Sequence, residues 1–400
     1  MRLYIDSASL RIGCFLVTMF LSIGTAQAKI NIEALVTTGW EYNTNFWRAE
    51  TDETAVDTFY IKPGVALGYD TAKSKIEAKF TLEPYWYSDR DTPQQGVRDA
   101  SEDNFVGYAG HFFGETQATD RLALKLSDRL YRTRDAAQSD TFSNSVSRDL
   151  YTINYLTPSL YYDFGNKFGL GIKYRNTITE YSTDLSVDSK ENRGVADLFY
   201  NFNSRSSLFL SYNVWERKYD KTISTYLSNK LSLNFVRQFH YFSVDVGGGY
   251  HHRSFDEDDR DNLDLFAWHI IIDGQKPAAP ARSPRAYMKL VLKQDYNDAG
   301  TNDQYYIATQ LDAEVGYLYK KKIQTILKAY FQNSDYQNDP ANRSDDTYSV
   351  SGLVSYRFWE HGKVKFEVGY RQRESSLFGN DYDDTFTMLS LDFGHDFGSK

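Results

Sequence analysis

The residue types best suited to chemistry are few in this sequence, and they are scattered. His251 and His252 stand close to Asp256 and Glu257, a composition that suits a metal ion. On a strand, however, adjacent side chains point to opposite faces, so the two imidazoles would not share a ligand. Asp256, Glu257, Asp258 and Asp259, with Asp261, gather the hard oxygen ligands that calcium prefers. They lack the glycine-spaced ligand loop, and a solvated acidic loop has the same composition. His240 lies beside Phe239 and His269 beside Trp268, neither with a neighbour suited to act as nucleophile. No G-x-S-x-G elbow, phosphate-binding loop or H-E-x-x-H pair occurs. The single cysteine, Cys14, falls in a segment expected to be removed, which leaves no disulfide, thiolate metal site or cysteine nucleophile. Neither an enzyme nor a cofactor is expected.

The elements that would position such residues are strands. Apolar and polar residues alternate in segments of about 10 to 16 residues, with polar stretches between them. Between Tyr305 and Tyr319, Ile307, Leu311, Val315 and Tyr317 fall on one face and Gln310, Asp312, Glu314 and Gly316 on the other. Carboxylates opposite such a stripe require a second face that meets water. The stretch from Lys363 to Arg373 repeats the pattern, with Val364, Phe366, Val368 and Tyr370 against Lys365, Glu367, Gly369 and Arg371. About eighteen such segments follow one another from Asn31 to Phe397. One irregularity stands out: the apolar phase is odd for Tyr151, Ile153 and Tyr155 but even for Leu160, Tyr162 and Phe164, which predicts a bulge near Thr157-Pro158.

The start of the chain places these strands in a compartment. Arg2 and Arg11 precede an apolar run from Ile12 to Gly24 that ends in Ala26-Gln27-Ala28, the three parts of a secretory signal peptide. Residues 1–28 are expected to be that leader and residues 29–400 one domain. The run is shorter than the ~20 residues a membrane-spanning helix needs. A mean hydropathy of −0.57 beside 32 Tyr and 26 Phe is contradictory for a soluble core. It is coherent for a barrel with one face toward lipid, the other toward a wet lumen, and aromatic girdles at the interfaces. A net charge of −9 argues against nucleic acid.

The connections agree. Thr71-Ala72-Lys73, Gly165-Asn166-Lys167, Ser204-Arg205, Lys320-Lys321-Lys322 and Glu360-His361-Gly362 are tight, whereas 49–55, 89–102, 134–147, 183–190, 256–261, 297–303 and 337–345 are longer and acidic. Short periplasmic turns and longer external loops mark a barrel inserted from the periplasm. The expected fold is therefore all-β: a single transmembrane antiparallel barrel of about eighteen strands in a bacterial outer membrane. Its contacts would be outer-membrane lipids and lipopolysaccharide, and the outer-membrane assembly machinery would read the aromatic last strand. The proline-rich turn from Gly274 to Pro284 is a candidate contact for a periplasmic partner.

Alternation assigns the inward face. It should carry Lys79, Lys125, Arg129, Lys173, Arg175, Lys289, Lys293, Lys328, Lys365 and Arg371, with Glu314 and other acids between them. Tyr85, Tyr161, Tyr306 and Tyr330 should point inward too, where rings can stack on sugars. The wall so drawn is basic on balance, beneath acidic loops.

Tyr42-Asn43-Thr44-Asn45-Phe46-Trp47-Arg48, at the end of the first strand, resembles the opening of the β-barrel porin 2 family, where Y-D-x-N-hydrophobic-aromatic-R is typical. Asn43 stands in place of the usual Asp. Glu191-Asn192-Arg193, Phe199-Tyr200-Asn201-Phe202 and Ser206 to Tyr212 look like that family's middle strands. The resemblance implies a barrel associated with exopolysaccharide or capsule production, a conduit for a glycan partnered by a periplasmic polysaccharide-export protein. A general diffusion porin for small solutes is the first alternative, and a surface adhesin or structural barrel the second.

Overall fold

Eighteen strands carry the alternation read from the sequence. In the computed structural model they are β1 (Lys29–Asn43), β2 (Val56–Asp70), β3 (Ser74–Asp89), β4 (Phe105–Gln117), β5 (Leu122–Thr133), β6 (Tyr151–Gly165), β7 (Phe168–Tyr181), β8 (Ser189–Asn203) and β9 (Ser206–Tyr219). The second half comprises β10 (Tyr226–Gln238), β11 (Ser243–Phe255), β12 (Leu263–Asp273), β13 (Ala286–Tyr296), β14 (Tyr306–Tyr319), β15 (Ile323–Tyr336), β16 (Ser344–Trp359), β17 (Gly362–Ser375) and β18 (Tyr382–Asp396). The structure describes residues 29–397 except 91–98, 136–147, 166, 184–185, 221–224, 257–259, 275–285, 298–304, 338 and 340. The expected leader, the proline-rich turn and the middle of the 256–261 acidic cluster lie outside the described residues.

Every strand pairs antiparallel with its neighbours in sequence, and β1 closes on β18 from Glu33 opposite Asp396 to Asn43 opposite Phe386. Closure leaves no unpaired edge strand, and outside the shortened β12–β13 pairing it satisfies backbone polar groups within the wall, as a membrane demands. The side-chain period of two does the rest. Val65, Leu67, Leu210, Leu233, Val315, Leu327, Val350, Phe366 and Leu389 stand exposed on the outer face. Their sequence neighbours point inward.

One expectation fails. Pairing of β5 with β6 runs without a shift from Leu122 opposite Tyr162 to Thr133 opposite Tyr151, straight through Pro158, so the predicted bulge does not exist. Tyr151, Ile153 and Tyr155 face inward instead, Tyr151 and Ile153 fully buried. The phase change in the sequence marks an apolar patch on the lumen side, and Asn154 and Asp128 take the outer face, bonded to each other at 2.6 Å. Register shifts occur elsewhere, beside turns, at Asp163/Gly165, Asn201/Asn203 and Arg357/Trp359.

Candidate functional site: a charged recess beneath an inward-folded loop

The loop between β1 and β2 builds the site from above. Asn45 folds it: its side-chain amide donates to the carbonyl of Ala49 (2.7 Å), and its oxygen accepts from the Ala49 N–H (2.9 Å). Phe46 N–H bonds to Thr54 O (3.0 Å), closing the loop on itself, with Arg48 and Asp52 at positive φ at the bends. Asn45 and Phe46 are buried, which an outward loop would not achieve. The Phe46 ring packs on Tyr87 of β3 (5.1 Å) and lies 3.8 Å beneath the guanidinium of Arg148, whose Nε donates to the Phe46 carbonyl (2.7 Å). Arg148 comes from the loop before β6. Residues of the first loop therefore meet the fifth inter-strand connection over the lumen.

The seven residues from Tyr42 to Arg48 are those that carry the family resemblance, and their arrangement gives them a role. Asn43 Nδ2 and the Asn45 N–H both donate to the buried Asp384 of β18 (3.4 Å each). Arg48 stands over Tyr382 (5.8 Å). Loss of hydration, followed by the positive charge of Arg371 and then Arg148, lowers its pKa from the usual arginine value to about 10. Cationic groups from a loop, a second loop and β17 are thus held close together in the lumen.

Beneath lies a recess of about 480 Å³ lined by Lys289, Asp312, Glu314, Lys328, Tyr330 and Arg371, among others. Strand pairing explains the convergence. Lys289 lies opposite Glu314, and Glu314 opposite Lys328, so charges alternate in sign along one row; Asp312 lies opposite Tyr330 in the next. Of the fifteen inward residues expected from the sequence, five (Lys289, Glu314, Lys328, Tyr330 and Arg371) line this recess.

The other ten lie on inward positions elsewhere on the wall, and most are engaged. Lys125 pairs with Glu115 (3.2 Å), Arg175 with Glu191 (2.6 Å) and Lys365 with Asp392 (2.6 Å). Arg129 lies over Tyr155 (5.6 Å). Tyr85 stacks on Phe105 (4.9 Å) and accepts from Lys62 Nζ (2.6 Å), and Tyr161 meets Phe199 edge-on. Tyr306 packs with Tyr336 (5.0 Å). Lys79, Lys173 and Lys293 lie opposite His111, Ser159 and Gln310 on neighbouring strands. Glu115, Glu191 and Asp392 thus each match one cation of the expected basic wall. His251 and His252 do face opposite ways, one to Asp295 inside and the other to Asp264 outside.

Solved structures share this architecture. OccK1 (OpdK) of Pseudomonas aeruginosa matches with a TM-score of 0.51 at 9% identity, over 92% of this chain and 99% of that one. OccK9 (OpdG) of the same organism matches at 0.50 and 9%, over 92% and 98%, and OccAB4 of Acinetobacter baumannii at 0.50 and 10%, over 92% and 98%. OpdK is an outer membrane protein. The fold they share is a closed antiparallel β-barrel, in this chain of eighteen strands. No family model and no curated relative matches the chain.

The sequence showed Arg48, Phe46 and Asn45 only as a motif. Their inward fold depends on Asp384, Tyr87 and Arg148, which are distant in the chain, so no local signal could reveal it.

Proposed function

We propose that this chain is a passive outer-membrane channel for small water-soluble solutes, with a preference for anions at its narrow point. The observation that carries this reading is the first loop turned into the lumen, with Arg48 beside Arg371 and Arg148 above a mixed-charge recess. A recess of that size suits a small solute. Opposed charges orient the dipole of a passing molecule, while the arginines raise the local concentration of anions. Export of a glycan, which the family resemblance implies, asks for an unobstructed bore, and an inward loop disfavours it. Outer-membrane lipids and lipopolysaccharide would cover the apolar band, and the assembly machinery would insert the barrel.

Reconstitution into planar bilayers tests the reading. Stable channels should form whose reversal potential in a salt gradient favours anions, and liposomes should swell with small carboxylates faster than with cationic solutes of equal size. Closed bilayers would defeat the proposal. Gene deletion that empties the cell surface of polysaccharide while filling the periplasm would restore the export reading.

A further inference from the structure

A second inward patch lies at the external end of β8 to β13, away from the recess. Strand register sets Arg193, Trp215, Ser228 and Arg253 side by side in one row, with Lys230 and His251 in the row below. Arg253 is 0% exposed. Its Nε donates to Ser228 Oγ (3.0 Å), and its guanidinium carbon lies 4.2 Å from the ring centroid of Tyr226, 5.1 Å from that of Tyr296 and 5.6 Å from that of Tyr305. Both terminal nitrogens, Nη1 and Nη2, are buried without an acceptor. Nearby, Trp215 Nε1 and His251 Nε2 are buried without partners as well, and the Trp215 and His251 rings are 4.9 Å apart.

A buried guanidinium in this state is incomplete. The tyrosine faces attract its charge, but its N–H groups lie in the guanidinium plane and still need lone pairs. Burying charge without such partners is strongly unfavourable. The Asp295 carboxylate on the same patch is already taken: it accepts from Lys230 Nζ (2.7 Å) and holds His251 Nδ1 (2.5 Å). Among the described residues Arg253 makes no ion pair. The wall beside it is also parted, because β12 pairs with β13 only from Asp273 opposite Lys289 to Trp268 opposite Gln294. Above that point Leu263 to Ala267 pair on the β11 side alone.

We infer that Arg253, in its tyrosine cage beside His251 and Trp215, is the anchor of a binding site for a small oxyanion, a carboxylate or phosphate group, at the external end of the lumen. Two oxygens of such a group match the two terminal nitrogens of the guanidinium fork. The site is separate from the recess and does not depend on the channel reading.

The test uses the full-length barrel in detergent at fixed ionic strength. Inorganic phosphate and acetate are titrated in turn against sodium chloride, and melting temperature and tryptophan fluorescence are recorded. At least one oxyanion should raise the melting temperature saturably beyond chloride. Arg253→Met should weaken that binding about ten- to hundred-fold, and Trp215→Phe should remove the fluorescence response. If Arg253→Met fails to fold, Arg253→Lys keeps the charge without the fork and should also bind more weakly. A stronger response to acetate identifies a carboxylate site, and to phosphate a phosphoryl site. No response beyond chloride would mean that water completes the guanidinium. An unchanged response in the folded variants would mean adventitious surface binding, and either result overturns the inference.

Discussion

Arg48 owes its importance to company rather than to type. Lys125, Arg175 and Lys365 on the wall are each matched by a carboxylate on the next strand, and such pairs present little net field to a solute. Arg48 is buried close to the guanidinium groups of Arg371 and Arg148, with Tyr382 and the Asp384 carboxylate also near, and its pKa is lowered to about 10 first by loss of hydration and then by the charge of Arg371. The sign of the consequence follows directly. Below about pH 10 the group is charged and favours anions; as pH rises through that value the charge, and with it part of the preference, is lost. Reversal potentials measured from pH 7 to 10.5 should therefore fall toward the unselective value at the alkaline end. Arg48→Gln should show the reduced selectivity already at pH 7 and a flatter pH response. An identical profile for both proteins would remove Arg48 from the narrow point.

At the scale of the element, the first loop is a twelve-residue span, 44–55, whose shape depends on one side chain. Asn45 supplies both ends of its tight turn, and Phe46 seats the turn against Tyr87 and Arg148. Asn45→Ala loses two hydrogen bonds, worth about 1–3 kcal/mol in total. That is a large share of what holds a loop and a small share of what holds a barrel. Single-channel recordings should show a higher and noisier conductance, with thermal unfolding nearly unchanged. Phe46→Ala should move conductance the same way. A large fall in melting temperature with normal conductance would assign the loop a structural role only.

The whole molecule is decided by which face of each strand meets lipid. Val350 stands on the outer face, 54% exposed, and Ser349 beside it lines the recess. Val350→Arg should cost roughly 2–4 kcal/mol in a lipid refolding titration, whereas Ser349→Arg should cost little and alter selectivity. Equal penalties would mean that the facing is wrong. Glycines need care in such comparisons. Gly316 also faces inward, yet a side chain there would collide with the Tyr287 ring, so Gly316→Arg would report a clash rather than a lumen position.

Strand number and alternation of faces were legible in the sequence because the period of two is local: each residue's face follows from its neighbours once one face must be apolar. The eighteen segments read that way became β1 to β18. The bulge near Pro158 was misread because alternation reports polarity, not direction. Tyr151 and Ile153 are apolar yet inward and buried, Tyr151 against Tyr181 of the next strand and with its hydroxyl on the carbonyl of Asp135 in the preceding loop, contacts that no local pattern encodes. The site behaved likewise. Lys289, Glu314 and Lys328 were recognisable one by one as inward, but their alternation in sign is a property of register across three strands. The neutralising Glu115, Glu191 and Asp392 entered for the same reason. The loop of Asn45, Phe46 and Arg48 is held in place only because β1 closes on β18 and brings Asp384, Tyr382 and Arg371 within reach of residues more than 300 positions away in the chain. Local periodicity thus determined the wall, and closure of the barrel decided what the wall encloses.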